Sequence, residues 1–271
     1  MCAGCDPRIA GRNASLTQND GAATDRRASM QRVLQINDYP AETGGGAEVV
    51  MARTIALLRS AGMTVASFTC ADLPARRRTP LRYLNNPVAR TRLAARLEAF
   101  RPDVIHLHNF YHVLSPGILA AVRRYQKRYP VRVVMTAHDY HLVCPNSGGS
   151  WFGILGGHGG AFDPARIRSW RYLLSRRWDQ RSAIHCVLKL IQHLWNYGPR
   201  RRQRTIDQVL CPSRLTCDIY TALGFPAVLL PHPLPPQARR RQIQAARAAP
   251  GLRRTPGARE RARRFPRHPA T

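Results

Sequence analysis

Six titratable side chains gather in two short stretches: His106, His108 and His112 in VIHLHNFYH, and His138, Asp139 and His141 in VVMTAHDYHLVCPN. Histidine titrates near neutral pH, donates and accepts hydrogen bonds, and ligates metals, so such a cluster is open to several chemistries. Residues i and i+2 of a strand point the same way, so His106 and His108 share a face. A neighbouring strand ending in His138 and Asp139 would complete a set of metal ligands. The same side chains equally orient a polar substrate or hydrogen-bond a developing charge. They equally serve as plain structural hydrogen bonds. A third stretch, NDYPAETGGGAEVV, places Gly44, Gly45 and Gly46 just before a helical segment that starts near Ala47. Glycine lets backbone come close to a ligand, and the amides of a helix amino end favour an anion such as phosphate. A plain turn carries the same signature. The loop is not G-x-G-x-x-G, because Val49 stands at the last glycine position, and no Gly-Lys-Ser/Thr follows to make a Walker loop.

These residues share a position at the ends of strands. Strand-like runs are VLQIN (33–37), TVASFT (64–69), DVIHLH (103–108), VRVVMTA (131–137), DQVLCP (207–212) and AVLLP (227–231). Between them Met51, Ile55 and Leu58 recur at helical spacing before Ala61-Gly62, as do Leu93, Leu97 and Phe100 before Arg101-Pro102. Ser115-Pro116 reads as a cap with proline at the first helical position, and Ser213 caps another helix that stops at Gly224. Alternating strands and helices imply right-handed crossovers and a parallel sheet with helices on both faces, a Rossmann-like α/β domain. In such sheets ligands bind at the carboxyl ends of the strands.

From Asn146 to about Gln203 the alternation is interrupted, and a helical insertion is expected over about 147–203. It holds the glycine-rich SGGSWFGILGGHGG and a basic stretch opened by Asp163-Pro164, with Ile184, Leu188 and Ile191 on one helical stripe flanked by Trp170, Trp178 and Trp195. A basic helix rimmed by tryptophans suits an anionic bilayer surface, and a helix covering the sheet edge has the same pattern. Residues 1–29 are small, polar and aperiodic, which predicts a disordered leader ahead of Met30, an alternative start. Cys2-x-x-Cys5 is half of a zinc pattern without a second half. The net charge of +28 suggests a polyanionic partner. Residues 237–271, however, carry eleven arginines against one acid, Glu260. Much of the basicity is therefore that of a tail predicted to be disordered, so specific nucleic-acid binding is not expected. Seven cysteines without framework spacing and no apolar signal segment predict a cytoplasmic protein.

GGGAE after the first strand, RPDVIHLHNFYHVLSPGIL, TAHDYHLVCPN and a late DQVLCPSRLTCDIYTALGF with PAVLLPHPLP occur in an order that resembles the amino-terminal, acceptor-side domain of family four glycosyltransferases of the two-Rossmann (GT-B) type. The resemblance runs from Arg32 to Pro235, and the folded region is expected over 30–236. It implies sugar transfer from a nucleotide-sugar to an acceptor hydroxyl, with retention and without an essential metal or cofactor. It further implies that Gly44, Gly45 and Gly46, with Glu48 beside them, approach the donor diphosphate, and that His138 and Asp139 lie near the transferred sugar. His106, His108, Asn109 and Tyr111 become candidates for an acceptor cleft that takes a glycan or a lipid-linked acceptor. Peripheral contact with the inner face of an anionic membrane fits that picture.

The family's second Rossmann domain would follow PHPLP, where this sequence continues into the arginine-rich tail. The expectation is therefore a truncated or split transferase, weakly active or inactive unless a separate chain supplies the donor domain, with the tail a candidate frameshift product. Two other functions fit the residues: a metal-dependent hydrolase using His106, His108, His138 and Asp139, and a non-catalytic protein whose basic tail grips a polyanion.

Overall fold

Runs of β-branched and leucine residues become strands where the alternation placed them. The computed structural model describes residues 31–74, 79–153, 157–198 and 201–233. The expected leader, Met30, the Cys2-x-x-Cys5 pair and the arginine-rich tail lie outside those residues. The strands are β1 (Arg32–Ile36), β2 (Thr64–Phe68), β3 (Val104–Leu107) and β4 (Arg132–Thr136), then β5 (Ser150–Phe152), β6 (His158–Ala161), β7 (Gln208–Cys211) and β8 (Ala227–Leu229). Six of them form one sheet in the order β2-β1-β3-β4-β7-β8, every pair parallel. Residues 33–36 and 105–107 are buried without a break. A strand buried on alternate residues of both faces has helices over both faces, the doubly covered arrangement expected of a Rossmann-like domain.

The helices are α1 (Gly46–Ser60), α2 (Pro80–Leu84), α3 (Pro87–Phe100), α4 (Leu119–Gln126), α5 (Trp170–Leu174), α6 (Ala183–Tyr197) and α7 (Arg214–Ala222). Local chemistry starts them. Asn86 accepts from the Ala89 amide ahead of Pro87, Ser182 from the His185 amide and Ser213 from the Thr216 amide. The Ser115-Pro116 start differs from expectation, since one 3-10 turn (Pro116–Ile118) precedes α4. Ser115 stands at φ 64° there, a conformation held by its hydroxyl accepting from both the Asn86 amide (2.8 Å) and the Gly117 amide (3.2 Å).

The sheet order sets where ligands gather. From β1 the chain steps to β2 on one side, then crosses to β3 on the other and continues outward. The reversal lies between β1 and β3, and loops leaving their carboxyl ends diverge to leave a crevice.

The insertion adds a hairpin to helices α5 and α6. Its glycine-rich piece folds as an antiparallel hairpin of β5 and β6, with Trp151 paired to Gly160. A side chain at Gly159 would collide with the Trp151 ring, so the glycines there make room for an aromatic. Trp178, expected at a membrane-facing rim, is fully buried, with its ring N–H donating to the Leu173 carbonyl (2.8 Å). Trp170 and Trp195 stay exposed.

Candidate functional site

Asp38 organises the crevice. Directly after β1, its fully buried carboxylate accepts from three successive amides of the loop after β3: His112 (2.7 Å), Val113 (3.0 Å) and Leu114 (2.8 Å). Asn37 beside it accepts from the Asn109 amide (2.9 Å) and donates to the Tyr39 carbonyl and to Glu48 (2.9 Å). The loops of the switch point are thus stitched together from β1. Neither residue stood among the expected site residues. Their signal was an Asn-Asp pair directly after a buried strand, opposite a loop needing donors satisfied.

The histidines form a relay that crosses the sheet edge. His108, on the loop leaving β3, is fully buried and uses both ring nitrogens, Nδ1 with His138 Nε2 and Nε2 with Gln35 Oε1, each at 2.8 Å. His106 pairs its Nε2 with Thr136 Oγ1 at 2.8 Å. The His138 ring stacks on His108 on one side (centroids 5.1 Å apart) and on His232 on the other (5.1 Å). With Gln35 Oε1 accepting, His108 Nε2 carries its proton and Nδ1 accepts from His138. His138 Nδ1 is then left as a hydrogen-bond acceptor.

Burial decides the charge state of this relay. Desolvation pushes His106 down to about 4, and holds His108 well below the ordinary imidazole value, with His106, His138 and His232 adding to the effect. His138 is pushed down to about 3, mainly by desolvation and further by His232 and His106. These are neutral imidazoles at physiological pH, able to hydrogen-bond but not to carry positive charge. Asp139 moves the other way: burial raises its carboxyl to about 6, against the lowering effect of the His141 amide that it accepts from at 2.9 Å.

The expected site residues divide accordingly. His138 and Asp139 are half-buried at the carboxyl end of β4, and Asn109 is half-buried with its side-chain oxygen unpartnered. Gly44 and Gly46 are exposed with open space where a side chain would stand, and Gly44 takes φ 80°. Glu48 does not face a ligand. Its carboxylate folds over Gly45, where a side chain would collide with it, and is bonded to Asn37. His106, His108 and Tyr111 are corrected as acceptor contacts. His106 is 7% exposed and spent on Thr136, His108 has no exposed surface, and Tyr111 is sealed in the core, its ring stacked on His141 (4.2 Å) and its hydroxyl against the Met135 sulfur. They shape the site from behind. The metal reading fares no better on geometry, since the ring nitrogens face one another, Gln35 and Thr136 instead of converging. Among the described residues no group of three His, Cys, Asp or Glu is placed to hold an ion.

Over the ends of β2 and β3 lies a cavity of about 580 Å³. Its walls come from Cys70 and Leu73 after β2, Tyr83 on α2, His112 and Val113 from the Asp38-held loop, and Arg181, Leu188 and Lys189 around the start of α6. None of the residues singled out as donor or acceptor contacts lines it. Its signal was dispersed over segments more than a hundred residues apart. Arg181 and Lys189 reach it as partners of buried Asp179, at 2.8 and 3.1 Å. Those two cations hold the Asp179 carboxyl well below its usual range.

The sequence model for Glycosyltransferase Family 4 matches residues 44–238, from the glycine loop through the proline-rich segment after β8. The chain belongs to glycosyltransferase family 4. The family match includes the histidine relay, the cavity walls and the whole insertion. No curated protein matches the chain. Two solved structures are similar at a low level. One is RedJ with a PEG molecule bound in its active site, 15% identical, with 81% of this chain and 91% of that chain covered and a TM-score of 0.32. The other is the RedJ thioesterase of prodiginine biosynthesis from Streptomyces coelicolor, 12% identical, with 91% and 97% covered and a TM-score of 0.33. Similarity at that level bears on neither fold nor chemistry.

Proposed function

We propose that this domain is the acceptor side of a retaining glycosyltransferase that uses a nucleotide-sugar donor. The observation that carries the reading is a neutral His138, poised between His108 and His232 at the carboxyl edge of the sheet. A neutral imidazole with a free acceptor nitrogen suits holding a sugar hydroxyl, and it does so without protonating the leaving group. In same-face transfer the enzyme positions the reactants and meets charge on the departing diphosphate. The amino end of α1, which no side chain caps, offers backbone amides for that charge at Gly44 to Gly46. The carboxylate of Glu48 in the same turn offsets part of their pull, so most of the diphosphate charge must be met from elsewhere. We assign that task to a donor-side domain beyond the described residues, on this or a separate polypeptide. The acceptor enters the cavity over the ends of β2 and β3.

A reducing, cytoplasmic setting is supported by the cysteines: Cys70, Cys144, Cys186, Cys211 and Cys217 are all free thiols. Among the described residues no helix is long and apolar enough to cross a membrane.

Saturation-transfer NMR with a panel of nucleotide-sugars tests the reading, because it detects contacts as weak as millimolar. Saturation is expected at the sugar protons with the full chain, and is expected to fade in His138→Ala. If some donor is turned over, proton NMR of the product should show the anomeric configuration of the donor. Sugar contacts unaffected by His138→Ala, or an inverted product, would overturn the assignment.

A further inference from the structure

Helix α6 is apolar on its outward face as well as on part of its inward face, where Cys186, Leu190 and Tyr197 are buried. Its outward stripe is Ile184 (71% exposed), Val187 (51%), Ile191 (42%), Leu194 (37%) and Trp195 (45%). Its buried side includes Gln192 and Asn196. Gln192 donates to the Tyr83 carbonyl (2.6 Å) and the Tyr111 carbonyl (3.0 Å), and Asn196 to the Leu84 carbonyl (3.3 Å). Those bonds fix the rotation of the helix, because turning the stripe inward would strand the buried Tyr111 carbonyl and the half-buried carbonyls of Tyr83 and Leu84. An aliphatic stripe kept in water against the ordinary drive to bury it marks an interaction surface.

Charge identifies the partner. Between residues 164 and 204 stand eleven arginines and lysines and one acid, Asp179, which is buried and already paired with Arg181 and Lys189. Helix α6 itself contains no acid. An apolar stripe with tryptophan, on a helix without acids and in a segment where bases outnumber acids eleven to one, matches the acyl boundary and headgroups of an anionic bilayer. A 15-residue helix is about 22 Å long, too short to span a bilayer and long enough to lie in its surface.

We propose that the Ile184–Trp195 face of α6 docks this protein onto an anionic membrane. Leu188 belongs to the same stripe and lines the cavity over the ends of β2 and β3. Docking therefore sets that cavity at the lipid interface, and the acceptor it takes is one carried by a lipid. That last step rests on the glycosyltransferase reading, whereas the docking itself does not.

Flotation of the full chain with phosphatidylcholine vesicles containing about 30% phosphatidylglycerol tests it without donor or transfer. The wild type is expected to float, and to float far less with pure phosphatidylcholine. The triple variant Ile184→Ser, Ile191→Ser, Trp195→Ser keeps every arginine, the tail and the inward amides. It should fold with an unchanged circular dichroism spectrum and lose roughly tenfold or more in partitioning. On vesicle addition the tryptophan emission should shift to the blue, and the shift should shrink in Trp195→Phe. A wild type that stays with the aqueous phase overturns the proposal. So does a folded triple variant that floats as well as the wild type, since general basicity would then suffice. Wild-type dimers dispersed by the triple variant, with no flotation, would assign the face to a second copy of the chain. Because vesicles report docking alone, failure here leaves the NMR test of sugar contacts standing, and the reverse holds too.

Discussion

Individual side chains at the switch point are held by bonds whose loss has a calculable sign. Asp38 satisfies three successive amides, that of Leu114 buried, with charge-assisted bonds each typically worth more than a neutral one. Replacing it by Ala should cost about 4 kcal/mol in denaturant unfolding, because three donors lose their partner together. Asp38→Asn should cost less, since one oxygen remains to accept from Val113 and Leu114. The imidazoles predict the pH response. His106 and His138, pushed down to about 4 and 3, stay neutral in the fold while the unfolded chain takes up protons below pH 6.5. Their contribution is complete above that pH and is lost as pH falls from 6.5 toward 4. Buried His108 and His141 act in the same direction. Asp139, raised to about 6, acts oppositely, since the folded state binds its proton first. Several histidines outweigh one carboxyl, so the melting temperature should drop steadily between pH 7 and 5. A flat or rising profile over that range would mean that the relay is already charged in the folded protein.

At the scale of elements, the amino end of α1 and the two faces of α6 make contrasting demands. Gly44 sits at φ 80°, so Gly44→Ala should cost about 1 kcal/mol in strain alone. Gly45→Ala meets a different obstacle, the Glu48 carboxylate, and should dislodge it from Asn37. At Gln192 and Ile184 of α6 the ordinary rule for helices is reversed. Gln192→Ala, a polar-to-apolar change, should lower stability by about 2 kcal/mol because the Tyr83 and Tyr111 carbonyls lose their donor. Ile184→Ala on the outward stripe should change it by less than about 0.5 kcal/mol, the usual range for an exposed position. Paired thermal melts of these two variants read the inversion directly, and equal losses would contradict the burial pattern.

For the whole molecule, the decisive quantity is donor affinity. Helix-end amides at Gly44 to Gly46 contribute on the order of 1 kcal/mol to an anion, against the roughly 8 kcal/mol that micromolar binding requires. Glu48 in the same turn lowers that contribution further. Calorimetry of the full chain with nucleotide-sugars, in salt high enough to screen its net charge of +28, should therefore show no micromolar isotherm. An isotherm of that strength would place a donor site within this chain. Its sensitivity to His138→Ala would then show whether the relay belongs to it.

Hydrophobic alternation was enough to locate the six strands of the main sheet and to put His138 and Asp139 at the carboxyl end of one of them, because both are properties of residues close together in the chain. The motif order likewise carried the family, which the match over 44–238 shows. Tertiary structure decided everything that depends on a partner distant in sequence. His108 and Tyr111 looked like ligand contacts until the packing of β1, β3 and β4 sealed them, because period-two spacing says which side chains share a face but not which face is filled. Gln35 and Asp38 acquired roles from partners more than seventy positions away. The stripe of Ile184, Leu188 and Ile191 was equally legible as core or as surface. Only the carbonyls left by α2 and by the loop after β3, which required Gln192 and Asn196 inside, turned the apolar face of α6 outward.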